Sequence, residues 1–424
     1  MDLQTSTLAN GLRIASIRLP GFRTACIGAY VRVGSRFEPI ELAGISHFFE
    51  HMAFKGTRAR NAYRIALDAE SAGAYINAFT TKDHTGYYLH LPGDQAAVAV
   101  ELIADVLRRS AFPGDELERE RHVVLQEMAE ASDDAENLAQ DLLDDMAFPR
   151  HPLGRPILGR RAVVRTIHRR EFARYLAQHY HASNIALVAA GDVDHAKFKA
   201  LARRHFGDHP AGATSHVTDA TFRGGYRAKP LDFAQTWIAI GWPTPGRDDP
   251  AFVRYELLAE LLGGGTAAPL FQVLREQHGL AYAVDTTIEG FEEIGILQLT
   301  IGVAPRNVRS ALALIGEVLS RPINADSLDR AIQQMRAQTL TRLERPQSIA
   351  ETIGLALLTR NNTPSNARNL ASSFESRLAL IERTPRAALD AIRRAVIAGP
   401  PALAIVGRAG RGDHYRAFRA SIHA

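Results

Sequence analysis

Apolar and polar residues alternate in the first part of the chain and then give way to helical spacing. Residues 12–18 and 25–33 contain β-branched, alternating runs, which predict two strands. Residues 74–91 alternate in the same way on either side of a polar turn and predict a hairpin. The patterns of 94–109 and 115–132 predict two long helices, and the second of them starts after a Phe-Pro-Gly-Asp signal.

Three shorter segments complete this first half. Residues 44–53 and 169–180 have helical patterns, and residues 184–190 form an apolar run that ends at a glycine. Such a run predicts a buried strand. The first half therefore combines strands and helices in one α/β unit.

The second half of the chain repeats this order of elements. They are a strand at 235–242, a helix at 252–262, a Gly-rich turn at 263–266, a helix at 270–278, strands at 282–287 and 295–303, helices at 306–319 and 325–344, and a strand at 402–406. The repeat indicates two diverged copies of one unit. We therefore predict an α+β fold of two homologous α/β units, each with a mostly antiparallel sheet flanked by helices. The predicted domains are 1–212 and 229–424, with a linker at 213–228.

Composition excludes several classes of function. Apolar residues make up 46% of the 424 residues and charged residues 23%, which is typical of a globular protein with a large core. The net charge of +4 is small, and basic residues do not cluster with aromatic ones, so nucleic acid is not an expected partner.

Cysteine usage and the N-terminus indicate the compartment. Cys26 is the single cysteine, so a disulfide within the chain is excluded, and its apolar surroundings predict a buried thiol. The N-terminus lacks a secretory signal pattern, and no apolar run reaches the roughly 18 residues of a transmembrane helix. A cytoplasmic protein without membrane attachment is expected.

The sequence His-Phe-Phe-Glu-His at 47–51 is the strongest chemical signal. On a helix, His47 and His51 lie on one face, where both imidazoles can bind one cation, and Glu50 lies near that face. Catalytic zinc usually has three protein ligands, and it lowers the pKa of water so that a nearby carboxylate can take the proton. The spacing is the inverzincin signature. Two histidines on a helix surface would give the same pattern, so the interpretation needs a third ligand.

That ligand is expected from a neighbouring helix. In the predicted helix 115–132, Glu120, Glu127 and Glu130 are separated by seven and three residues and share a face. A solvated acidic face would give the same spacing, so the pattern alone leaves open which of the three is a ligand.

Long strings of the sequence resemble the pitrilysin/insulinase family of zinc peptidases, in particular the branch that contains the β-subunit of mitochondrial processing peptidase and its bacterial relatives. They include AGISHFFEHMAFKGT, INAFTTKDHTGYYLHLP and ELERERHVVLQEM in the first half, and LLGGGT and LFQVLREQHGLAYAV in the second. The resemblance spans nearly the whole chain. It implies that the two homologous units form half of a clam-shell.

The resemblance implies roles around one metal ion. His47 and His51 match the two zinc-binding histidines, Glu50 matches the catalytic carboxylate, and Glu127 matches the third ligand. Glu120 matches an acidic residue that orients a ligand. The implied cofactor is one Zn²⁺ per chain.

The resemblance also implies where the substrate lies. Asn77, Ala78 and Phe79 match a strand edge along which a peptide binds as an added strand. Arg275 and Tyr282, in the second half, match a pair that reaches the substrate near the zinc. A phenol and a guanidinium can donate to a carbonyl oxygen as it gains negative charge.

The second half departs from the metal-binding pattern. Alignment of the halves places Glu256, Ala259 and Glu260 opposite His47, Glu50 and His51, and it places Ala331 and Gln338 opposite Glu120 and Glu127. We therefore expect one catalytic and one supporting repeat. After the Gly-rich turn, Ala267, Ala268 and Pro269 replace the hydroxyl and arginine residues that the family often has, which puts any substrate contact from that loop in doubt.

Larger relatives build a closed chamber from four such units, whereas this chain supplies two. A second chain is therefore expected, and a homodimer is the simplest solution because one chain carries both the metal motif and the Arg/Tyr pair. The expected function is a zinc-dependent endopeptidase acting on short unfolded peptides. One alternative is the zinc-bearing subunit of a heterodimeric processing peptidase that trims a precursor or leader. Another is a non-catalytic scaffold, although an eroded metal motif would then be expected.

Overall fold

The computed structural model describes residues 2–213, 217–359 and 370–422. They divide into two compact units, each built from three segments of the chain. The first unit lies within Met1–Met128, Pro156–Thr218 and Thr341–Glu375, and the second lies within Ala129–Arg155, Asp219–Leu340 and Ser376–Ala424. Each unit has one sheet flanked by helices, which confirms the predicted fold class.

Eleven strands are present in the described part of the chain. They are β1 (Asp2–Thr7), β2 (Arg13–Arg18), β3 (Thr24–Val31), β4 (Tyr75–Thr80), β5 (Thr85–Pro92), β6 (Ile185–Gly191), β7 (Gly225–Lys229), β8 (Thr236–Pro245), β9 (Ala281–Gly290), β10 (Ile294–Val303) and β11 (Ala402–Val406). The sequence predicted most of them, but β1 was missed, and β7 occupies the end of the segment interpreted as a linker.

The α-helices account for most of the remaining described residues. They are α1 (Ile45–Ala53), α2 (Ala62–Ser71), α3 (Ala96–Arg109), α4 (Gly114–Ser132), α5 (Ala135–Ala147), α6 (Arg161–Val164), α7 (Arg169–His179), α8 (His195–Phe206), α9 (Phe252–Gly263), α10 (Pro269–Phe271), α11 (Val308–Ser320), α12 (Ala325–Leu343), α13 (Pro346–Leu358), α14 (Leu370–Glu382), α15 (Arg386–Ala398) and α16 (His414–Ile422). The helix predicted at 270–278 is present, and it consists of α10 followed by a π-helical turn, Gln272–Gln277. No helix in these ranges is long and apolar enough to cross a membrane.

The sheet of the first unit has the strand order β1-β2-β6-β3-β5-β4. Neighbouring strands are antiparallel except for β2 and β6. One face packs on α1, α3, α7 and α8 through buried residues such as Ile27, Leu89, Phe48 and Phe49. The other face packs on α13, whose Ile349 and Ile353 are buried. Burial on both faces explains why β3 and β6 are apolar along their whole length.

The second unit has a five-stranded sheet with the order β7-β11-β8-β10-β9. Its β7 and β11 are parallel, and the other neighbours are antiparallel. Helix α5 packs on this sheet, with Leu143 and Met146 among buried residues of β8 and β11. Thus α5, from the first half of the sequence, joins the second unit, and α13, from the second half, joins the first. The compact units therefore divide the chain differently from the homologous domains 1–212 and 229–424, which stay a prediction.

Candidate metal centre

Helix α1 presents the two histidines because its start and its apolar face are fixed. Its N-terminus is capped by Glu38, whose carboxylate accepts from the backbone N–H groups of Gly44 (2.7 Å) and Ser46 (2.8 Å). Phe48, Phe49 and Met52 are fully buried against the sheet. Helical periodicity then leaves the face with residues 47, 50 and 51 only partly buried.

Helix α4 brings the carboxylates to this face. Leu117 and Val124 are buried in the core of the first unit. The buried guanidinium of Arg121 donates to the backbone carbonyls of Val164 and Ile167 and holds the helix against the segment after α6. Glu120 and Glu127 lie two turns apart along one flank of this buried face of α4.

The three predicted ligands come together. Glu127 Oε2 lies 3.6 Å from His47 Nε2 and 3.4 Å from His51 Nε2. The three donor atoms lie within 4.8 Å of one another. A tetrahedral ion with bond lengths of about 2.1 Å separates its ligand atoms by about 3.4 Å, so this donor set fits zinc. In the described part of the chain, it is the single group of three His, Cys, Asp or Glu residues arranged to hold a metal.

His47 is in the form that a metal requires. Burial lowers the pKa of His47 to about 4, and the neighbouring His51 adds to that effect. A neutral imidazole offers a lone pair to a cation, whereas an imidazolium does not. The His47 side chain is therefore competent for metal binding at neutral pH.

Glu50 stands beside this cluster without belonging to it. Burial raises the pKa of Glu50; the nearby Thr80 hydroxyl and His51 oppose this shift, and Glu127 adds to it. A carboxylate with a raised pKa is a stronger base and can also return a proton near neutral pH. This environment suits the predicted general base.

Glu120 contacts a ligand rather than the candidate ion position. Its Oε2 lies 3.2 Å from His51 Nδ1, and its Oε1 lies 2.7 Å from Lys55 Nζ. Sequence reasoning identified Glu120 but missed Lys55, whose position just beyond the end of α1 carries no metal-site pattern. Glu130, the third acidic residue of that pattern, is exposed and outside the metal group.

The strand edge that matches a substrate-binding edge is β4, at one end of the first sheet. The bond from Thr81 N–H to His84 C=O fixes the hairpin, and hydrogen-bonded pairs alternate along it, so the backbone groups of Ala78 point away from β5. The Ala78 N–H instead donates to Asn77 Oδ1 at 2.8 Å, within the same strand. Phe79 makes an edge-to-face contact with His84. An outward backbone donor is thus present at Ala78.

Arg275 and Tyr282 form a pair within the second unit. Arg275 lies in the π-helical turn and donates from Nη1 to the Tyr282 carbonyl at 2.9 Å. Its guanidinium carbon lies 4.8 Å from the centre of the Tyr282 ring, which is a cation–π arrangement. The Tyr282 side chain is 73% exposed, so its hydroxyl is open to a ligand.

In the second unit, the carboxylates that align with the metal-binding histidines contact protein side chains. Glu260 lies 3.5 Å from Arg330 Nη1 and accepts from Gln338 at 3.0 Å. Glu256 lies 2.7 Å from Arg377. Guanidinium groups thus balance these carboxylates. In the loop that follows α9, Ala268 is buried and Pro269 begins α10, so neither side chain offers a polar group to a ligand.

A two-unit α/β fold with one His-x-x-Glu-His helix and a glutamate from α4 is typical of an inverzincin. Residues 13–161 match the model of Insulinase (Peptidase family M16), and residues 166–335 match that of Peptidase M16 inactive domain. The chain belongs to the insulinase family, peptidase family M16.

Relatives with similar sequences come from several bacteria. An uncharacterized zinc protease of Rickettsia bellii is 33% identical over 83% of this chain and 87% of its own length. An uncharacterized zinc protease of Streptomyces coelicolor is 30% identical over 96% of this chain and 89% of its own length. One from Mycobacterium tuberculosis is 35% identical over 74% of this chain and 73% of its own.

Solved structures share the fold at lower identity. A protease from Helicobacter pylori matches with a TM-score of 0.86 and 20% identity, over 96% of this chain and 99% of that chain. A chain of Complex III2 from Candida albicans matches with a TM-score of 0.82 and 18% identity, over 99% of both chains. At such identities, the likeness establishes the fold and not the activity.

Proposed function

We propose that the protein is a zinc-dependent endopeptidase in which His47, His51 and Glu127 hold one Zn²⁺ and Glu50 is the general base. The observation that carries the proposal is the convergence of two imidazoles and one carboxylate from two helices, with the carboxylate of Glu50 beside them. The names of the bacterial zinc proteases support the same metal and reaction.

The chain's own residues supply the proton transfers. When bound, zinc provides Lewis acidity and lowers the pKa of water toward 7. Glu50 accepts a proton from the attacking water and passes it to the nitrogen of the leaving amine. Tyr282 donates a hydrogen bond to the carbonyl oxygen as that oxygen gains charge, and Arg275 holds the Tyr282 ring.

The proposed substrates are short unfolded peptides. An extended peptide adds to the open edge of β4 and hydrogen-bonds to the outward backbone groups of Ala78, while Asn77 and Phe79 flank it. Recognition through the backbone accepts many sequences. Folded proteins cannot present such a strand, so they are poor substrates.

We further propose that two copies of the chain form the active enzyme. The same chain carries the metal ligands and the Arg275/Tyr282 pair, which favours a homodimer over a heterodimer. The alternative of a heterodimeric processing peptidase keeps the same metal site and differs in needing a second, homologous chain. The intact metal group argues against a non-catalytic scaffold.

Cleavage of quenched short peptides by the purified chain, with and without a zinc chelator, tests the function. Chelator-sensitive cleavage by the chain alone, restored by zinc, is expected. Zinc binding without cleavage, followed by cleavage on addition of a homologous chain, would identify the heterodimeric enzyme instead. Cleavage that survives complete zinc removal would overturn the proposal.

A further inference from the structure

A series of polar contacts leads from His51, one of the two histidines of the proposed metal site, toward the protein surface. The two oxygens of Glu120 contact different partners: Oε2 lies 3.2 Å from His51 Nδ1, and Oε1 lies 2.7 Å from Lys55 Nζ. The Glu120 side chain is only 9% exposed, whereas that of Lys55 is 32% exposed. The carboxylate is therefore shielded from water and depends on these two contacts for its charge balance.

Backbone hydrogen bonds fix the position of Lys55 and connect its loop to the segment before α4. The Lys55 N–H donates to the Met52 carbonyl at 3.1 Å and continues the last turn of α1. The next residue, Gly56, accepts from Ala111 N–H at 3.0 Å, just before α4 begins. The loop that carries Lys55 is thus fastened to the segment that leads into the helix of Glu120. Lys55 therefore meets Glu120 from a fixed position.

The two ring nitrogens of His51 face two different glutamates. Nε2 faces Glu127 at 3.4 Å, and Nδ1 faces Glu120 at 3.2 Å. A carboxylate that accepts the Nδ1 proton leaves the Nε2 lone pair for a metal and makes the imidazole a stronger ligand. The position of the Glu120 carboxylate hence decides how His51 is presented.

We propose that Lys55 is a positioning residue of the metal centre: it holds one oxygen of Glu120 so that the other binds His51 Nδ1 and directs Nε2 to the ion. This inference rests on the proposed zinc site and extends it by one contact. It adds a positive charge to the set of residues that determine the metal affinity.

The choice of lysine fits this role. Lysine stands at only five positions of the chain, in which arginine is the prevalent basic residue. An ammonium group is a point charge that binds one carboxylate oxygen, whereas the guanidinium fork tends to engage both. Lysine at residue 55 therefore leaves Glu120 Oε2 available to His51.

His47 lacks the same support. Its Nδ1 is buried and has no hydrogen-bond partner among the described residues. The orientation of the two-histidine pair thus depends on the side of His51, Glu120 and Lys55. If the Lys55 contact is lost, no hydrogen bond to His47 Nδ1 compensates for it.

The experiment measures zinc affinity by competition with chelators of graded strength. Lys55→Met keeps the length of the side chain and removes its charge, and we expect zinc to bind about tenfold more weakly, the lower end of the effect of losing an outer partner of a ligand. Lys199→Met is the matched control, because Lys199 is an exposed residue of the same unit. The control should bind zinc like the unchanged protein, and both variants should keep its circular dichroism spectrum.

A double-mutant cycle separates positioning from a general effect of charge. In a Glu120→Gln background, Lys55→Met should cost less than twofold in zinc affinity, because the carboxylate through which Lys55 acts is gone. An equal loss in both backgrounds, or no loss in either, would overturn the inference. Absence of zinc binding by the unchanged chain would instead remove the proposed function, so the two failures are distinguishable.

Discussion

His51 and Glu127 approach each other from two different helices, with Nε2 and Oε2 3.4 Å apart. In the tautomer of His51 whose proton lies on Nδ1, toward Glu120, the Nε2 lone pair faces the Glu127 carboxylate. Two acceptors at this distance repel one another unless a cation lies between them. A cation between the two atoms would be attracted by both of them, and each part of the proposed metal site can be tested separately.

Removal of the third ligand should abolish tight zinc binding. For Glu127→Ala, we expect the zinc affinity to fall by more than the roughly 10–100-fold that follows loss of a ligand's hydrogen-bond partner. Glu130→Ala is the control, because Glu130 lies three residues further on the same helix and is exposed outside the metal group. Titration calorimetry of both variants measures the effect, and equal affinities would rule out Glu127 as a ligand.

Binding of the peptide as an added strand can be tested at Ala78. Ala78→Pro removes an N–H that points away from β5, so no hydrogen bond of the sheet is lost, and proline is tolerated at such positions of edge strands. We expect kcat/KM for short peptides to fall about tenfold, near the upper end of the effect of one lost hydrogen bond. The comparison with Ala78→Gly, which retains the N–H, isolates this effect. An unchanged kcat/KM with bound zinc would argue against strand addition at this edge.

The Tyr282 hydroxyl should affect kcat and leave the zinc affinity unchanged. Tyr282→Phe keeps the ring beside Arg275 and removes the phenol. We expect kcat to fall about a hundredfold, the usual cost of removing one donor to a developing oxyanion, with zinc affinity unchanged. Steady-state kinetics and zinc titration on one preparation check both parts. A variant with undiminished kcat would exclude Tyr282 from transition-state stabilisation.

The stability of the first unit should depend on pH through His179. Burial lowers the pKa of His179 to about 4, with His181 adding to the effect, whereas an unfolded histidine titrates near 6.5. Between these values the unfolded chain binds the additional proton, so stability falls as the pH drops from 6.5 to 4. The free energy of unfolding should fall between pH 7 and pH 5, and this fall should be about 1–2 kcal/mol smaller in His179→Gln than in the unchanged protein.

Denaturant unfolding of both proteins in the presence of a chelator measures this difference, because removal of zinc separates it from the titration of the metal ligands. The comparison concerns the change with pH in each protein, not the absolute stability of the variant. Identical pH dependence in the two proteins would show that His179 titrates normally.

Much of the site follows from sequence because it is local. His47, Glu50 and His51 need only one helix for their geometry, and a single further helix supplies Glu127. The choice of Glu127 rather than Glu130 as the third ligand came from the family resemblance and not from spacing, because both residues share a helical face. The structure distinguishes them by the position of α4 relative to α1, which depends on tertiary packing.

Contacts between distant segments were beyond sequence reasoning. The Lys55–Glu120 ion pair depends on a loop held by Gly56 and Ala111, and no periodic pattern encodes that loop. Helices α5 and α13 were not predicted, and neither was the sheet on which each packs. Each buries apolar residues on the sheet of the unit formed mainly by the other half of the sequence, which is a contact between distant segments.

The most direct test of the account is to measure zinc content and peptide cleavage on one preparation of Glu50→Gln. The amide retains the shape of Glu50 and cannot accept a proton, so we predict one zinc per chain, as in the unchanged protein, and a loss of kcat of about a thousandfold. Cleavage at the unchanged rate would contradict the role of Glu50 as general base. Loss of the zinc along with the activity would contradict the assignment of His47, His51 and Glu127 as the complete ligand set.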